Sequence, residues 1–238
     1  MKERHLHDLP AEKSGARQVT EKAIEAVSGS VPFVGGTLAV VLAHAFSHSY
    51  EKRLRVWMEQ LAEVVQELID RVDDLDVDGL SKDDGFMDAV ATATRIAEKT
   101  SSDAKRAALQ NALLHIGTGA APDEDKRDVF LRYIDELTPS HLVLLDFFND
   151  PPGFLDRRGI PWPNISMGGL GSIVQAALPT LYADKTFLDT LVGDLDRWGL
   201  ISNPGLNSVM TGSGLQAGRS TEKGREFAVF VGGPFDAH

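Results

Sequence analysis

The sequence predicts a mainly α-helical protein, in which an antiparallel helical domain precedes an α+β domain with one small hairpin. Three observations support this fold class. Apolar residues recur at the three- and four-residue spacing of helices over most of the chain between residues 20 and 200. Turn-rich stretches that suit short strands are concentrated after Ile201. The chain has 238 residues, 42% of them hydrophobic and 25% charged, which is typical of a globular protein with a sizeable core.

Composition excludes several classes of site. The chain contains no cysteine, so it has no disulfide, no thiol nucleophile and no thiolate metal centre. Its first residues are charged and lack the apolar core of a secretory signal, and we therefore expect a cytoplasmic protein with a flexible N-terminus over residues 1–19. The net charge is −11 and neither half of the chain is basic, which disfavours a broad nucleic-acid footprint.

Residues 20–118 are expected to form the helical domain around one long helix that begins near Gly36. Alanine-rich helical segments at 86–99 and 102–116 are predicted to form a hairpin that packs on this helix. A helix of about 40 residues is longer than one small core covers, so its apolar stripe predicts a core face first and a homo-oligomer contact second. The stripe residues assigned to that contact are Leu54, Trp57, Leu61, Val65 and Leu68.

The most apolar stretch, residues 31–46, has two interpretations. It is nearly free of charge, but it contains Pro32 and two glycines and is shorter than the roughly 20 apolar residues that span a membrane. The first interpretation is a buried core helix. The alternative is a segment that inserts into a membrane only after a trigger. The residues assigned to this alternative are Val40, Val41, Leu42 and Phe46.

The most specific signal lies in residues 186–231. An apolar stripe there predicts a helix with an inward face, and Gly199 suits the left-handed position that ends a helix. The stripe consists of Phe187, Leu188, Leu191, Leu195 and Trp198. Turn residues on both sides of 206–210 predict a strand that pairs with a return strand at 215–220. Thr221 is expected to cap a short final helix.

A family resemblance follows from the order of these features. The helix that ends in Trp198-Gly199-Leu200-Ile201, the hairpin and the Thr-Glu-Lys-Gly-Arg-Glu-Phe sequence at 221–227 together resemble the second half of winged helix-turn-helix domains of the MarR and PadR type. The resemblance implies that residues 128–231 form a winged-helix-like domain. Its first helix would open at Thr138 and Pro139, and its second would occupy 172–182, where Pro179 must kink or end it.

Three phrases at 105–114, 137–141 and 221–227 loosely resemble bacterial helical proteins of the abortive-infection alpha type. This second resemblance implies a setting in phage defence. It carries over no catalytic residue, so it bears on biological context rather than on mechanism.

Residues 149–171 contain many prolines and glycines and are predicted to be an insertion without regular structure. The insertion also holds apolar side chains, which argues against simple disorder. Two roles remain open for these side chains: contact with a partner protein, and packing over an edge of the protein's own core. The residues assigned to partner contact are Phe154, Ile160, Trp162 and Ile165.

No motif in the sequence predicts a catalytic residue, a metal site or a cofactor. The acidic run at 70–84 matches the start of a calcium-binding loop, but Gly85 stands where the last glutamate ligand is required. His44, His48 and Glu51 share one helix face without a further ligand nearby in the sequence. The glycine-rich stretch at 168–172 lacks the lysine of a phosphate-binding loop. A non-enzymatic protein without cofactors is therefore expected.

Charge decides between the possible functions of the C-terminal domain. A helix that reads DNA offers lysine and arginine, whereas residues 184–197 carry four aspartates against Lys185 and Arg197. We therefore predict a protein-interaction adaptor or regulator that has a protein partner and forms a homo-oligomer. The alternatives are a membrane-active effector that uses residues 31–46 and a DNA-binding transcriptional regulator. The residues assigned to a nucleic-acid contact are Arg219, Lys223 and Arg225.

Overall fold

A computed structural model describes residues 36–73, 75–202, 205–233 and 235, with side chains from residue 47 onward. Twelve helices and two short strands occupy this part of the chain, which confirms the mainly α-helical prediction. The chain divides into two compact units, Met1–Arg55 and Val56–His238. The predicted flexible segment at 1–19 lies outside the described residues.

Most helices begin where the sequence offers a side-chain acceptor for a free backbone N–H group. Asp83, Ser102 and Thr221 each accept a hydrogen bond from the first turn of the helix they precede. Thr138 and Pro139 open their helix, as predicted. The elements are α1 (Gly36–Arg71), α2 (Val77–Lys82), α3 (Asp84–Lys99), α4 (Asp103–Gly117), α5 (Glu124–Glu136), α6 (Pro139–Asn149), α7 (Pro151–Arg157), β1 (Met167–Gly169), α8 (Leu170–Ala177), α9 (Pro179–Ala183), α10 (Lys185–Arg197), β2 (Val209–Thr211), α11 (Gly212–Gln216) and α12 (Glu222–Phe230).

The predicted alanine-rich hairpin is formed by α3 and α4, which pack against the C-terminal part of α1. The indole Nε1 of Trp57 donates a 2.9 Å hydrogen bond to Oγ1 of Thr94 in α3. Leu68 lies so close to Gly117 at the end of α4 that a Cβ atom at Gly117 would overlap it. Small side chains allow this close approach of helices. The alanines buried in the hairpin are Ala89, Ala93, Ala97, Ala108 and Ala112.

The apolar stripe of α1 is therefore a core face. Trp57, Leu61 and Leu68 are buried within a single chain, and Leu54 and Val65 are half-buried. Within the single chain, Trp57 contacts α3 and Leu68 contacts the end of α4, and the assignment of Trp57, Leu61 and Leu68 to an oligomer contact stays a prediction. Homo-oligomerisation itself stays a prediction.

Apolar packing crosses the predicted domain boundary between residues 118 and 128, which stays a prediction. Phe130 of α5 packs against Phe227 and Phe230 of α12, with ring centroids 5.2 and 5.5 Å apart. The hairpin helices and the C-terminal elements share one hydrophobic cluster, so no break in packing separates them. The turn-forming residues that predict this boundary, at 117–123, follow the end of α4.

One small antiparallel sheet of two strands is present in the described residues, but its pairing differs from the prediction. β2 pairs with β1, and Met167, Gly168 and Gly169 lie opposite Thr211, Met210 and Val209. The predicted return strand at 215–220 does not form: α11, which Thr211 caps by accepting a hydrogen bond from Gly214, takes its first two residues, and 217–219 are irregular. A single antiparallel bridge joins Ile201 to Ser220.

The insertion at 149–171 contains more regular structure than predicted. Helix α7 forms because Asp150 accepts a hydrogen bond from the backbone N–H of Gly153, and because Pro151 and Pro152 occupy the first turn, where proline is tolerated. A Cβ atom at Gly153 would overlap the Asp150 carboxylate, so a larger residue there would have to displace the capping side chain. Strand β1 occupies a second part of the same stretch.

The acidic run at 70–84 forms helix caps rather than a calcium loop. Asp76 accepts a 2.7 Å hydrogen bond from Gly79, and Asp83 accepts a 3.0 Å hydrogen bond from Phe86. Helix α2 occupies the middle of the run, so the backbone does not adopt an ion-binding loop there. Among the residues whose placement is described, no group of histidine and acidic side chains is arranged to hold a metal ion.

Candidate functional site

Helix α10 is the best-defined helix of the C-terminal region. It begins where Asp184 Oδ1 accepts a 3.0 Å hydrogen bond from the backbone N–H of Phe187. It ends at Gly199, whose φ of 64° lies in the left-handed region, as predicted. The backbone N–H of Leu200 then bonds to the carbonyl of Leu195, and that of Gly199 bonds to Asp196, which is the Schellman arrangement. The two ends therefore fix the helix in length and direction.

The buried face of α10 differs by one residue from the prediction. Leu188, Leu191, Val192 and Leu195 are at most 2% exposed and follow the spacing i, i+3, i+4, i+7. Phe187, which was assigned to this face, is 43% exposed. On a helix, Phe187 lies roughly a quarter turn from the centre of the buried stripe, whereas Val192 lies within it.

The outward face of α10 is small, polar and acidic. Thr186, Asp189, Thr190 and Asp196 are exposed, and Gly193 lies between them with open space where a Cβ atom would stand. The helix also carries two exposed basic residues, Lys185 and Arg197, and the guanidinium of Arg197 donates to Asp194 over 2.9 Å. We define the α10 face as this outward side of the helix together with the groove beside it that is described next. Its helix residues are Thr186, Asp189, Thr190, Gly193, Asp196 and Arg197.

A groove of about 550 Å³ runs beside α10. It lies between Asp189 and Val192 on the helix and the loop at 205–208. This loop is fixed because the carbonyl of Leu206 accepts a 2.8 Å hydrogen bond from the N–H of Gly171 at the start of α8. The groove therefore has a preformed wall opposite the acidic helix.

The small sheet continues from this loop and exposes two large apolar side chains. Met167 is 64% exposed and Val209 is 72% exposed. The register places Met167 beside Thr211 and Val209 beside Gly169, so both side chains project from the same face of the sheet. This patch could not be predicted from the sequence, because three-residue strands are too short to show an alternating pattern.

The three basic residues assigned to a nucleic-acid contact all bind backbone carbonyls of the protein itself. Arg219 donates to the carbonyl of Gly214 over 2.6 Å. Lys223 donates to the carbonyl of Trp198 and lies over the ring of Tyr133. Arg225 donates to the carbonyl of Ser220 over 2.7 Å. Lys223 thereby joins the segment near residue 200 to α12, whereas Arg219 and Arg225 bond within the segment at 214–225.

A buried histidine lies beneath α10. His141 Nδ1 accepts a 3.0 Å hydrogen bond from the backbone N–H of Thr138, so the neutral ring carries its proton on Nε2. Nε2 lies 3.5 Å from Oδ2 of Asp194, which is long for a hydrogen bond. Burial lowers the pKa of His141 below its ordinary value of 6.5, and the charge of Asp194 opposes that shift. The ring is thus held in its neutral form between α6 and α10.

The residues assigned to partner contact in the insertion lie mostly inside the protein. Phe154 is fully buried, with the guanidinium of Arg158 3.7 Å from its ring centroid. Ile160, Trp162 and Ile165 are half-buried and pack against the core. Helix α7 places the ring of Phe154 in the core, and its assignment to a partner contact stays a prediction. For the other three, packing over the core edge accounts for the apolar character of the segment.

The side chains of Val40, Val41, Leu42 and Phe46, assigned to a conditional membrane segment, lie outside the described part of the structure, as does that of His44. Within the described residues, no helix combines the length and the apolar character needed to cross a membrane.

Comparison with known proteins adds no assignment to this site. No protein-family model, no curated protein and no solved structure matches the chain. The functional argument therefore depends on the geometry and charge of the α10 face.

Proposed function

We propose that the protein is a non-enzymatic adaptor or regulator, and that the α10 face of a winged-helix-like module binds a protein partner. The observation that carries the proposal is the charge of this face. Asp189 and Asp196 are exposed on it, whereas the nearby Arg219, Lys223 and Arg225 are engaged by backbone carbonyls. A phosphate backbone requires the opposite arrangement, because it is bound by cations that are free to reach it.

The order of elements supports the winged-helix-like part of the proposal. Helices α8, α9 and α10 follow one another closely, and the Schellman turn at Gly199 leads directly into the bridge between Ile201 and Ser220. Helix α12 then starts at Thr221, whose hydroxyl donates to the carbonyl of Gly199 over 2.7 Å. In helix-turn-helix domains, the second, recognition helix is the one that contacts DNA, and α10 would hold that place here.

The chemistry of the face suggests what kind of protein it binds. Exposed carboxylates favour a partner surface with lysine or arginine, and the exposed Met167 and Val209 offer apolar area that a partner would remove from water. Small side chains at Thr186, Thr190 and Gly193 allow a partner backbone to approach closely. Such a mixture of apolar area and charge is common at protein interfaces.

The proposal is tested by capture of a partner and by titration of variants. The full chain is used as bait in extracts of its native host, and the affinity of each purified partner is then measured. Asp189→Lys should weaken the interaction at least about tenfold, since it reverses a charge at the face. The matched control is Asp88→Lys, which reverses an exposed aspartate on α3. If Asp189→Lys and Asp88→Lys bind the partner with equal affinity, the α10 face does not take part in the interaction.

A DNA titration tests the opposing function. Fluorescence anisotropy with a labelled duplex at low salt should give no submicromolar binding. Submicromolar binding that weakens steeply with added salt, and that Arg219→Glu abolishes, would instead indicate a transcriptional regulator.

A further inference from the structure

We infer that a second groove, between the loop at 120–122 and α12, binds a helical segment of a partner protein that carries one apolar side chain and two basic ones. We call it the α12 groove. It has a volume of about 460 Å³. Its apolar part is formed by Ala121, Pro122, Val229 and Phe230, and its acidic rim by Glu222 and Glu226. It shares no residue with the α10 face, so this inference stands apart from the proposed function.

The walls of the groove are fixed before any partner arrives. On one side, Gly119 has a φ of 70° and closes a Schellman turn in which the N–H of Ala120 bonds to the carbonyl of His115 over 2.9 Å. On the other side, a Cβ atom at Gly224 would overlap the carbonyl of Leu200, so α12 packs directly on that backbone. A preformed groove loses little conformational freedom on binding, which favours affinity.

Within the apolar part of the groove, Val229 is the side chain that is open to solvent. Val229 is 64% exposed, although Phe227 and Phe230 of the same helix are almost fully buried. Among the described residues, Val229 is one of the most exposed large hydrophobic side chains. Its position at the edge of a concave surface provides a place where an incoming apolar side chain removes area from water.

The charge of the rim identifies the partner as basic. Glu226 pairs with Lys126 over 2.9 Å, and the Arg225 guanidinium donates to the carbonyl of Ser220. Glu222 has no ion pair among the described residues, and Asp123 adds negative charge near Lys126. His115 also lines the groove, and its Nδ1 lies 2.8 Å from the carbonyl of Asn111. The three carboxylates of Glu222, Glu226 and Asp123 exceed the two cations, Lys126 and Arg225, by one negative charge.

The spacing of the rim matches a helix. Glu222, Glu226 and Val229 stand at i, i+4 and i+7, which forms one stripe along about two turns of α12. An antiparallel partner helix with an apolar residue at i and lysine or arginine at i+3 and i+7 places each side chain opposite its counterpart. A helix laid into a groove by such anchors is a common mode of peptide recognition.

A designed peptide tests this inference on the full chain. The probe is an alanine-based peptide of about 14 residues, roughly four helical turns, with leucine at i and lysine at i+3 and i+7. The control peptide carries glutamate in place of both lysines. In a ¹⁵N–¹H correlation titration, the lysine peptide should shift the resonances of Ala121, Glu226 and Val229, and the glutamate peptide should not. Shifts confined to other surfaces, or equal binding of both peptides, would overturn the inference.

Substitutions in the α12 groove test which residues contribute to peptide binding. Val229→Asp, and the double change Glu222→Lys with Glu226→Lys, should each weaken peptide binding at least about tenfold. The matched control is Asp84→Lys with Asp88→Lys, which reverses two exposed carboxylates at the same spacing near the start of α3. All three are checked for an unchanged circular dichroism spectrum. If the control weakens binding as much as the groove variants, the attraction is one of net charge and the groove is not the site.

Two further outcomes concern the occupant. Sedimentation that reveals a concentration-dependent dimer, lost in Val229→Asp, would assign the groove to a second copy of the chain and overturn the choice of a partner protein. Binding to vesicles of anionic lipid would likewise contradict the inference if the double change Glu222→Lys with Glu226→Lys left that binding unchanged. Carboxylates repel an anionic surface, so a groove that met lipid should bind it more strongly after this change.

Discussion

His141 of α6 faces Asp194 of α10, with 3.5 Å between Nε2 and Oδ2, while its Nδ1 accepts the backbone hydrogen bond that starts α6. This contact joins the first helix of the C-terminal region to the helix that presents the α10 face. The cap requires an unprotonated Nδ1, and burial lowers the pKa of the ring. Protonation therefore breaks the cap.

The first prediction concerns pH. Because the folded state favours neutral His141, the unfolded chain binds more protons near the ordinary histidine pKa, and the free energy of unfolding should fall as the pH drops below about 6.5. Urea denaturation between pH 7.5 and 5.5 measures this. His141→Asn is expected to keep a cap acceptor without titrating, and its stability should depend less on pH. An unchanged pH dependence in His141→Asn would point to other groups.

The second prediction concerns Gly224. A Cβ atom there would overlap the carbonyl oxygen of Leu200, which is backbone and cannot rotate away. Gly224→Ala should therefore lower the free energy of unfolding by about 2–3 kcal/mol, as forced overpacking does. Chemical denaturation monitored by circular dichroism gives the value. A loss below about 0.5 kcal/mol, the range of ordinary surface changes, would mean that α12 can move away from Leu200.

The third prediction uses Gly193 as the opposite case. Gly193 lies inside α10, and the position that a Cβ atom would occupy is open space. Packing within the chain therefore does not require a glycine here. Gly193→Ala should raise the free energy of unfolding by about 0.5–1 kcal/mol through the lower backbone entropy of the unfolded chain. If the α10 face binds a partner closely, the same variant should bind that partner more weakly, which titration measures. A destabilised Gly193→Ala would contradict this account of the helix.

The fourth prediction separates a core role from an oligomer role for α1. Trp57 is fully buried and donates a hydrogen bond to Thr94, so Trp57→Ala should cost about 3–5 kcal/mol of stability. Met58, its half-exposed neighbour, is the control, and Met58→Ala should change stability by less than about 0.5 kcal/mol. Sedimentation is run in parallel. If Trp57→Ala abolishes an oligomer without lowering the free energy of unfolding, the result would support an oligomer contact at Trp57 instead of a core role.

The parts of the fold that depend on local rules were predictable. Gly199 ends α10, Thr221 caps α12, and Pro179 separates α8 from α9, because each effect depends on one or two neighbouring residues. The same local reasoning misjudged residues 149–171. Proline and glycine there were interpreted as breakers, although directly after the capping Asp150 they are compatible with the first turn of a helix.

The candidate sites were less predictable than the helices. The acidic character of α10 was visible in the sequence, but the engagement of Arg219, Lys223 and Arg225 by backbone carbonyls was not, because those carbonyls are brought near by the fold. The α12 groove was missed altogether. Its two walls lie about 100 residues apart in the chain, and no short-range pattern links them.

The pairing of β1 with β2 also constrains the order of folding. The two strands flank α8, α9 and α10, so the sheet closes a loop of about 40 residues, and in a flexible chain such a closure costs roughly 3 kcal/mol of entropy. The pairing of six residues offsets little of this entropy cost by itself. When the three helices form first, they shorten the loop and bring its ends together. We therefore expect the sheet to be a late event in folding, and β1 and β2 to be among the first elements to open in the native protein.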